Sequence, residues 1–150
     1  PYNTLRALLT MANGIHFVTK IPLIACDALQ LLSDEQKSNN PLVLLNAFLD
    51  HVFFQINFKN TTQRGACSIT TLIELIGSKK ESFVALGNGA KTYKKLLLEN
   101  TNNIIFTDSI SEFNTISTLA EHSFNIFQNK KYTADYVKPI YFEDLKNKKS

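Results

Sequence analysis

Cysteine is scarce in this sequence of 150 residues, and the sequence contains neither a long apolar run nor a dense basic stripe. The two thiols, Cys26 and Cys67, lie among apolar or small residues, and we expect structural thiols in a reducing, cytoplasmic setting. No apolar run approaches the ~20 residues that a membrane span requires, so none is predicted. The net charge is +3, with its basic excess after Leu75, which is too weak for a dedicated nucleic-acid-binding protein.

Metal-binding motifs are also missing. His16, His51 and His122 are far apart, and the sequence contains no HxxxH or HExxH pattern. Such patterns place two imidazoles on one face of a helix, where they bind a catalytic zinc ion. The sequence therefore predicts no metal site and no cofactor. It also offers no carboxylate pair suited to general acid–base catalysis.

One glycine-rich turn remains as a ligand-binding candidate. It lies between a predicted strand and a predicted helix, where backbone N–H groups can bind a phosphate. Its members are Gly87, Asn88, Gly89 and Ala90. A strand-to-helix turn that needs a positive φ explains the same glycines, and we favour this second interpretation.

Hydrophobic periodicity predicts interleaved helices and strands, and hence an α/β fold class. A helix over Thr4 to Thr19 is followed by a short buried strand, Leu23 to Cys26, and by a short helix that Asp27 caps. Strands PLVLLNA and HVFFQINF follow and are predicted to form a hairpin, with Val52, Phe54 and Ile56 on one face. The next predicted helix has Thr71 and Glu74 as its capping box and ends at Gly77. The remaining predicted elements are strand SFVAL, a helix from Lys91 to Leu98, strand NIIF, a helix from Ile116 to Gln128, and strand KPIYF.

Polar stretches predict the domain organisation. The segment from Ser33 to Asn40 predicts a boundary between residues 1–40 and residues 41–150. A second polar stretch, KNTTQRGA, is predicted to be a loop. The tail from Lys146 is predicted to be flexible.

The first helix is apolar around most of its circumference. At 100° per residue its non-polar arc spans roughly 220°, about twice the ~100° stripe of a helix that lies on one core. Full burial would explain the flanks equally well, but the polar sector argues against it. Leu8, Ala12 and Ile15 lie behind, opposite that sector. We therefore predict that the helix packs twice, and that its second contact is with parts of the protein outside this sequence, with a partner protein, or with both. The predicted partner-binding residues are Arg6, Ala7, Thr10, Met11, Asn13, Gly14, Phe17 and Val18.

Four segments, in order, resemble the TsaB (YeaZ) family. The segment YNTLRALLTMANGIHFVTKIPLIACDALQLL is similar to a family segment without a gap, through residues that include Leu5, Arg6, Gly14 and Pro22. LLNAFLDHVFFQINF resembles the family hairpin, ALGNGAKTY its Gly-Asp-Gly-Ala turn, and KPIYF its last strand. The polar family residues of the hairpin are replaced here, by Phe48 and Leu49 among others, so a ligand role of that lobe does not carry over.

The resemblance implies a fold and a role. The fold is the two-lobed fold of actin, the sugar kinases and the heat-shock ATPases, here as the second lobe plus the last helix-strand-helix of the first. This chain would then be a fragment or a shortened relative. The implied role is that of a non-catalytic partner of TsaD, with TsaE in the assembly, in making threonylcarbamoyladenosine in tRNA. The implied contact is a helical bundle that includes the first helix, and tRNA would be contacted only indirectly.

Two other functions stay open at this stage. The first is a nucleotide-binding or glycoprotease-like enzyme of the same superfamily, against which the missing metal histidines and the incomplete phosphate loop count. The second is a self-associating α/β module without a link to tRNA, which would use the first helix to form a homodimer.

Overall fold

The computed structural model describes residues 2–36, 40–59, 61–107, 111–129 and 136–142. The chain divides into two compact units. Unit 1 consists of Pro1–Asp27 and Ile116–Tyr141, and unit 2 of Ala28–Thr115 and Phe142–Ser150. The predicted flexible tail lies outside the described residues. The predicted lobe boundary at residue 40 stays a prediction, and the units themselves divide after Asp27.

Helices and strands alternate as predicted for an α/β fold. The helices of the described residues are α1 (Tyr2–Thr19), α2 (Ala28–Glu35), α3 (Ile69–Gly77), α4 (Asn88–Thr92), α5 (Lys94–Asn100) and α6 (Ile116–Gln128). The strands are β1 (Pro41–Asn46), β2 (His51–Phe58), β3 (Thr61–Ser68), β4 (Phe83–Leu86) and β5 (Ile104–Ile105). The predicted linker begins inside a helix, because its first residue, Ser33, belongs to α2 and is buried.

The five strands form one mixed sheet in unit 2, in the order β3-β2-β1-β4-β5. Strands β1, β2 and β3 pair antiparallel, whereas β1, β4 and β5 pair parallel. The predicted hairpin is present, with Leu44 opposite Phe54. Alternation along β2 places Val52, Phe54 and Ile56 on one face, as predicted, and all three are buried.

The segment KNTTQRGA is largely strand β3, so its prediction as a loop was wrong. Strand β3 pairs with β2 along its whole length, from Thr61 opposite Phe58 to Ser68 opposite His51. An edge strand exposes polar side chains, so its sequence lacks the apolar run that marks a central strand. The buried half of β3 is built from small residues, Gly65 to Ser68, which carry little hydrophobic signal.

Helix α3 begins one turn earlier than predicted. Its N-cap is Ser68, whose Oγ accepts a hydrogen bond from the backbone N–H of Thr71. Thr71 and Glu74 therefore lie inside the helix, and their prediction as a capping box was wrong. A cap residue needs an extended backbone, which Ser68 has because it is also the last residue of β3. The predicted end at Gly77 is confirmed.

The predicted helix from Lys91 to Leu98 is two helices. Tyr93 lies between α4 and α5, with a φ of −102° that belongs to neither. Its phenol Oη donates a hydrogen bond to the carbonyl oxygen of Leu49, at 3.1 Å. This contact with a distant turn is a tertiary interaction, which the helical period of the sequence does not report.

The core of unit 2 lies on both faces of the sheet. One face packs against α3, α4 and α5 around Phe54, Leu72 and Leu97, which have no exposed surface. The other face packs against α2 through a smaller cluster that includes Leu32 and Val43. The helices on the two faces bury most apolar side chains of the sheet, although Phe53 and Ile105 are exposed.

One fully buried polar side chain, that of Gln55, lies on the α2 face of the sheet. Its Nε2 donates to Gln30 Oε1 at 3.0 Å and to Asn57 Oδ1 at 3.2 Å. Its Oε1 accepts from the guanidinium of Arg64 at 2.6 Å. The amide is thus fully bonded, which offsets the cost of burying it.

Unit 1 has helices but no strand among its described residues. Leu23 to Cys26 and KPIYF, Lys138 to Phe142, were predicted as strands, and both predictions were wrong. A strand requires a neighbouring strand to satisfy its backbone groups, and neither segment pairs with a described strand. Helix α6 has the bounds that were predicted for it.

Candidate interface on the first helix

The inner side of α1 is a narrow stripe. Leu9, Ala12, Asn13 and His16 are half-buried, and their spacing places them on one side of the helix. Every other residue of α1 from Asn3 to Thr19 is exposed. The part of the helix that packs within unit 1 is therefore narrower than the apolar arc of its sequence.

Asn13 fixes α1 within unit 1. Its Nδ2 donates to the carbonyl oxygen of Val137 at 2.8 Å, and its Oδ1 accepts from the N–H of Val137 at 2.7 Å. The amide side chain thus bonds both backbone groups of Val137, as a residue of a neighbouring antiparallel strand would. Asn13 was predicted to bind a partner, whereas the structure uses its side chain internally.

The C-terminal end of α1 is closed by local hydrogen bonds. Lys20 adopts a left-handed conformation with φ of 60°, and its N–H donates to the carbonyl oxygen of His16 at 2.8 Å. The Nδ1 of His16 lies 2.6 Å from the carbonyl oxygen of Ile21, to which it donates as N–H. His16 is half-buried, and it also bonds the chain just after the helix.

The outer surface of α1 is apolar and exposed. Phe17 and Val18 have 73% and 79% of their surface exposed, values typical of polar residues. The other large apolar side chains of α1 that are exposed are Leu5, Leu8, Met11 and Ile15. Such a continuous exposed apolar area marks an interaction surface in a folded protein.

The predicted partner-binding residues fall mainly on this surface. Seven of the eight predicted residues are exposed, and Asn13 is the exception. A Cβ added to Gly14 would have no neighbour within 4 Å, so another helix can approach closely there. The Nζ of Lys20 lies 4.8 Å from the centre of the Phe17 ring, and this cation–π contact holds Lys20 beside the apolar area. Binding by these residues stays a prediction.

Three apolar residues of the exposed surface, Leu5, Leu8 and Ile15, are absent from the predicted set. Leu8 and Ile15 were placed behind the helix, opposite its polar sector, yet each is about half exposed. Together with Met11 and Val18 they follow a spacing of three and four residues, and we call these four residues the α1 ridge. The ridge is visible in the helical period, but only the structure shows that its four side chains are exposed.

Helix α6 repeats this pattern within unit 1. Ile116 is 87% exposed, and the aromatic rings of Phe124 and Phe127 are also exposed. Ser123 of α6 is half-buried, and its Oγ lies 3.4 Å from Cys26 Sγ. Both helices of unit 1 therefore present apolar side chains outward.

The glycine-rich turn packs on the backbone of β1. Gly87 has φ of 90° and ψ of 163°, and a Cβ there would lie 2.2 Å from the carbonyl oxygen of Leu44. A Cβ on Gly89 would lie 2.9 Å from the same oxygen. The positive φ that we favoured from the sequence is present at Gly87, and close packing on β1 accounts for Gly89.

The polar groups of this turn already have partners. The N–H of Gly87 donates to the carbonyl oxygen of Ser111 at 2.7 Å, and Asn88 Oδ1 accepts from the N–H of Asn46 at 2.9 Å. Ala90 is buried. Nucleotide binding by Gly87, Asn88, Gly89 and Ala90 stays a prediction, and these bonds leave fewer donors for a phosphate.

The three histidines are not brought together. The Nδ1 of His51 lies 2.9 Å from Asp50 Oδ1, and His51 is half-buried at the start of β2 rather than exposed. Within the described part of the chain, no group of three or more potential metal ligands occurs. No helix in that part is long and apolar enough to cross a membrane.

The fold and the candidate site together define a mixed α/β protein with an uncovered helical surface. Two solved structures show this fold, at 13% sequence identity, each over 95% of this chain and 69% of its own length. One is an uncharacterised protein from Pseudomonas aeruginosa with similarity to peptidase YeaZ, at a TM-score of 0.67. The other is YeaZ from Pseudomonas aeruginosa, at a TM-score of 0.65.

These likenesses confirm the predicted fold class. The chain has the fold of YeaZ-like proteins, which is the fold that the sequence resemblance implied. No protein-family model and no curated protein matches the chain. The shared fold does not by itself assign an activity, because one fold supports many functions.

Proposed function

We propose that this chain is a non-catalytic partner of a TsaD-type protein in the formation of threonylcarbamoyladenosine in tRNA. The observation that carries the proposal is the exposed apolar surface of α1 in a chain with a YeaZ-like fold. The sequence resemblance to the TsaB family supports it independently. The work of the chain is to hold the partner in its competent state.

The physical mechanism is burial of the apolar surface of α1 against another helix. Phe17 is the anchor, because burying an exposed aromatic ring removes a large apolar area from water. Gly14 has open space above it, so the backbone of a partner helix can come close. The α1 ridge widens the area that two helices can bury together.

An enzymatic function of the same superfamily is the second candidate. Its phosphate-binding element would be the Gly87 turn, but the N–H of Gly87 already donates to the carbonyl oxygen of Ser111. Millimolar ATP with Mg²⁺ would raise the melting temperature of such an enzyme, since a ligand of the folded state stabilises it. We expect no shift for this chain.

The decisive experiment measures association with a TsaD-type protein from the same genome. Sedimentation of the chain alone, and then of the mixture, separates a heterodimer from a homodimer. We expect Phe17→Asp to weaken the heterodimer about 100-fold or more, because it places a charge in the apolar contact. A wild-type chain that stays monomeric in the mixture contradicts the proposal.

The matched control is Phe113→Asp. Phe113 is also an exposed phenylalanine, at 62%, but it belongs to unit 2. We expect its replacement to leave the affinity within about twofold of wild type. An equal loss in both variants would indicate a general effect of added charge, and the α1 interface would then be wrong.

A further inference from the structure

A chain of hydrogen bonds runs through unit 2 from the edge of the sheet to the surface of α2. The guanidinium of Arg64, on β3, donates to Gln55 Oε1 at 2.6 Å. Gln55 Nε2 donates to Gln30 Oε1 at 3.0 Å, and Gln30 Nε2 donates to Asp34 Oδ1 at 2.7 Å. A cation on the sheet and a carboxylate on α2 are thus joined through two amide side chains. We call these four residues the amide relay.

The two charged ends fix the direction of every bond in the relay. A guanidinium can only donate hydrogen bonds, and an ionised carboxylate can only accept them. Turning over the amide of Gln55 would point its NH₂ group at the guanidinium of Arg64. Turning over the amide of Gln30 would point its oxygen at the carboxylate of Asp34. Each bond therefore depends on the orientation of the next, and bonds aligned in this way strengthen one another.

Two of the bonds are local, and the third joins them. Arg64 lies directly opposite Gln55 in the pairing of β3 with β2. Gln30 and Asp34 are one helical turn apart on α2. Within the relay, the bond between Gln55 and Gln30 connects the sheet with the helix. Gln55 is fully buried, so an amide that lost its partners there would carry the full cost of its burial.

Asp34 occupies a position that local forces disfavour. It lies in the last turn of α2, where the helix dipole repels a carboxylate, and that turn contains no basic residue. The apolar cluster beneath α2 is also the smaller of the two in unit 2, and its buried members are Leu29, Leu32, Val43 and Leu86. A tertiary role for the carboxylate accounts for its place in the helix.

We propose that the amide relay is a clamp that holds α2 on the sheet, and that its two charged ends, Arg64 and Asp34, jointly control the local opening of α2. Both end residues are exposed, whereas the amide of Gln55 between them is buried. When either charge is lost, the orientation of the two amides is no longer enforced, and the bond between them weakens. Helix α2 then opens more often while the sheet stays folded. This inference is independent of the α1 interface and of the TsaD assignment.

Hydrogen exchange of the Leu32 and Ser33 amides in the full chain measures the local opening of α2. Asp34→Asn keeps the shape and an acceptor oxygen but removes the charge. We expect it to raise the opening constant about fivefold, because a charge-assisted hydrogen bond is about twice as strong as a neutral one. If Gln30 and Asp34 acted only as a pair within the helix, the change would be about twofold or less.

The coupling between Arg64 and Asp34 is the deciding quantity, because they lie at opposite ends of the relay. In the background of Arg64→Met, which removes the donor, we expect Asp34→Asn to change the opening constant by less than about twofold. In the background of Gln55→Met, which removes the middle of the relay, we expect the same small change. The other contacts of Arg64, such as that with the Phe142 ring, cancel in this comparison.

The matched control is Glu81→Gln, which removes the charge of another ion pair of unit 2, that with Lys59 at 3.3 Å. We expect it to change the opening constant of α2 by less than about twofold in every background. Effects of Asp34→Asn of about fivefold both with and without Arg64 would overturn the proposal. An effect of that size in Gln55→Met would also overturn it, because the charges would then act without the amide between them. So would an effect of about twofold or less in the otherwise wild-type chain.

Discussion

Units 1 and 2 differ in where their apolar residues lie. All buried residues of the described chain belong to unit 2, where a sheet is covered by helices on both faces. Unit 1 has no buried residue among those described, and both its helices expose large apolar side chains. Apolar side chains thus form a buried core in unit 2, whereas those of unit 1 form an exposed surface.

The difference arises from the kind of element that each unit contains. A sheet pairs its backbone groups laterally and offers two faces, so three layers can bury apolar side chains. Unit 1 has two helices and irregular segments, and its described residues are at most half-buried. The remaining apolar surface of unit 1 has to be covered by other polypeptide to be as favourable as that of unit 2.

The largest effect should separate two phenylalanines. Phe54→Ala in unit 2 removes a fully buried ring and is expected to cost about 3–5 kcal/mol of unfolding free energy. Phe17→Ala in unit 1 removes an exposed ring and is expected to change it by about 0.5 kcal/mol or less. Urea unfolding followed by circular dichroism measures both. Equal losses would break the comparison, because Phe17 would then be buried within the chain.

Two glycines give the next largest contrast. Gly87→Ala in unit 2 puts a Cβ against the carbonyl oxygen of Leu44 at a backbone conformation almost restricted to glycine. We expect it to cost about 3 kcal/mol. Gly14→Ala in unit 1 has open space and a helical backbone, so we expect a gain of up to about 1 kcal/mol. Thermal melts of the two variants should move in opposite directions.

A smaller effect tests how unit 1 is held together. Asn13→Ala removes both hydrogen bonds to Val137, and we expect a loss of about 1–2 kcal/mol. Hydrogen exchange should show this loss in the amides of α1, with β1 and β2 unchanged. The control is Thr10→Ala, which removes only a bond within the helix, to Arg6. Faster exchange across the sheet would mean that the two units unfold together.

Much of the fold could be predicted from periodicity. The bounds of α6, the hairpin of β1 and β2, and the buried face of β2 follow from apolar spacing, which is a local property. Strand β3 was missed because an edge strand of small and polar residues carries no such spacing. The segment from Leu23 to Cys26 was predicted as a strand because its composition fits one, but pairing requires a neighbour.

The candidate site was predictable in part. The wide apolar arc of α1 indicated a helix with more than one contact, and most of the residues chosen from it are exposed. Asn13 was included because a polar residue on a helix is expected at the surface, whereas its amide bonds to Val137. The exposed turn at Phe48 and Leu49 gave no signal, because adjacent apolar residues near a strand end are usually buried.

The sequence alone determined which segments are helical, which strands form the hairpin, and that α1 has more apolar surface than one core needs. These properties depend on residues close together in the chain, through backbone periods and side-chain spacing. Only the tertiary structure decided which apolar faces are covered and which asparagine is bonded internally. It also decided that Leu49, in the turn between β1 and β2, is exposed and has a positive φ. Coverage depends on neighbours that are distant in sequence, and no local pattern encodes their positions.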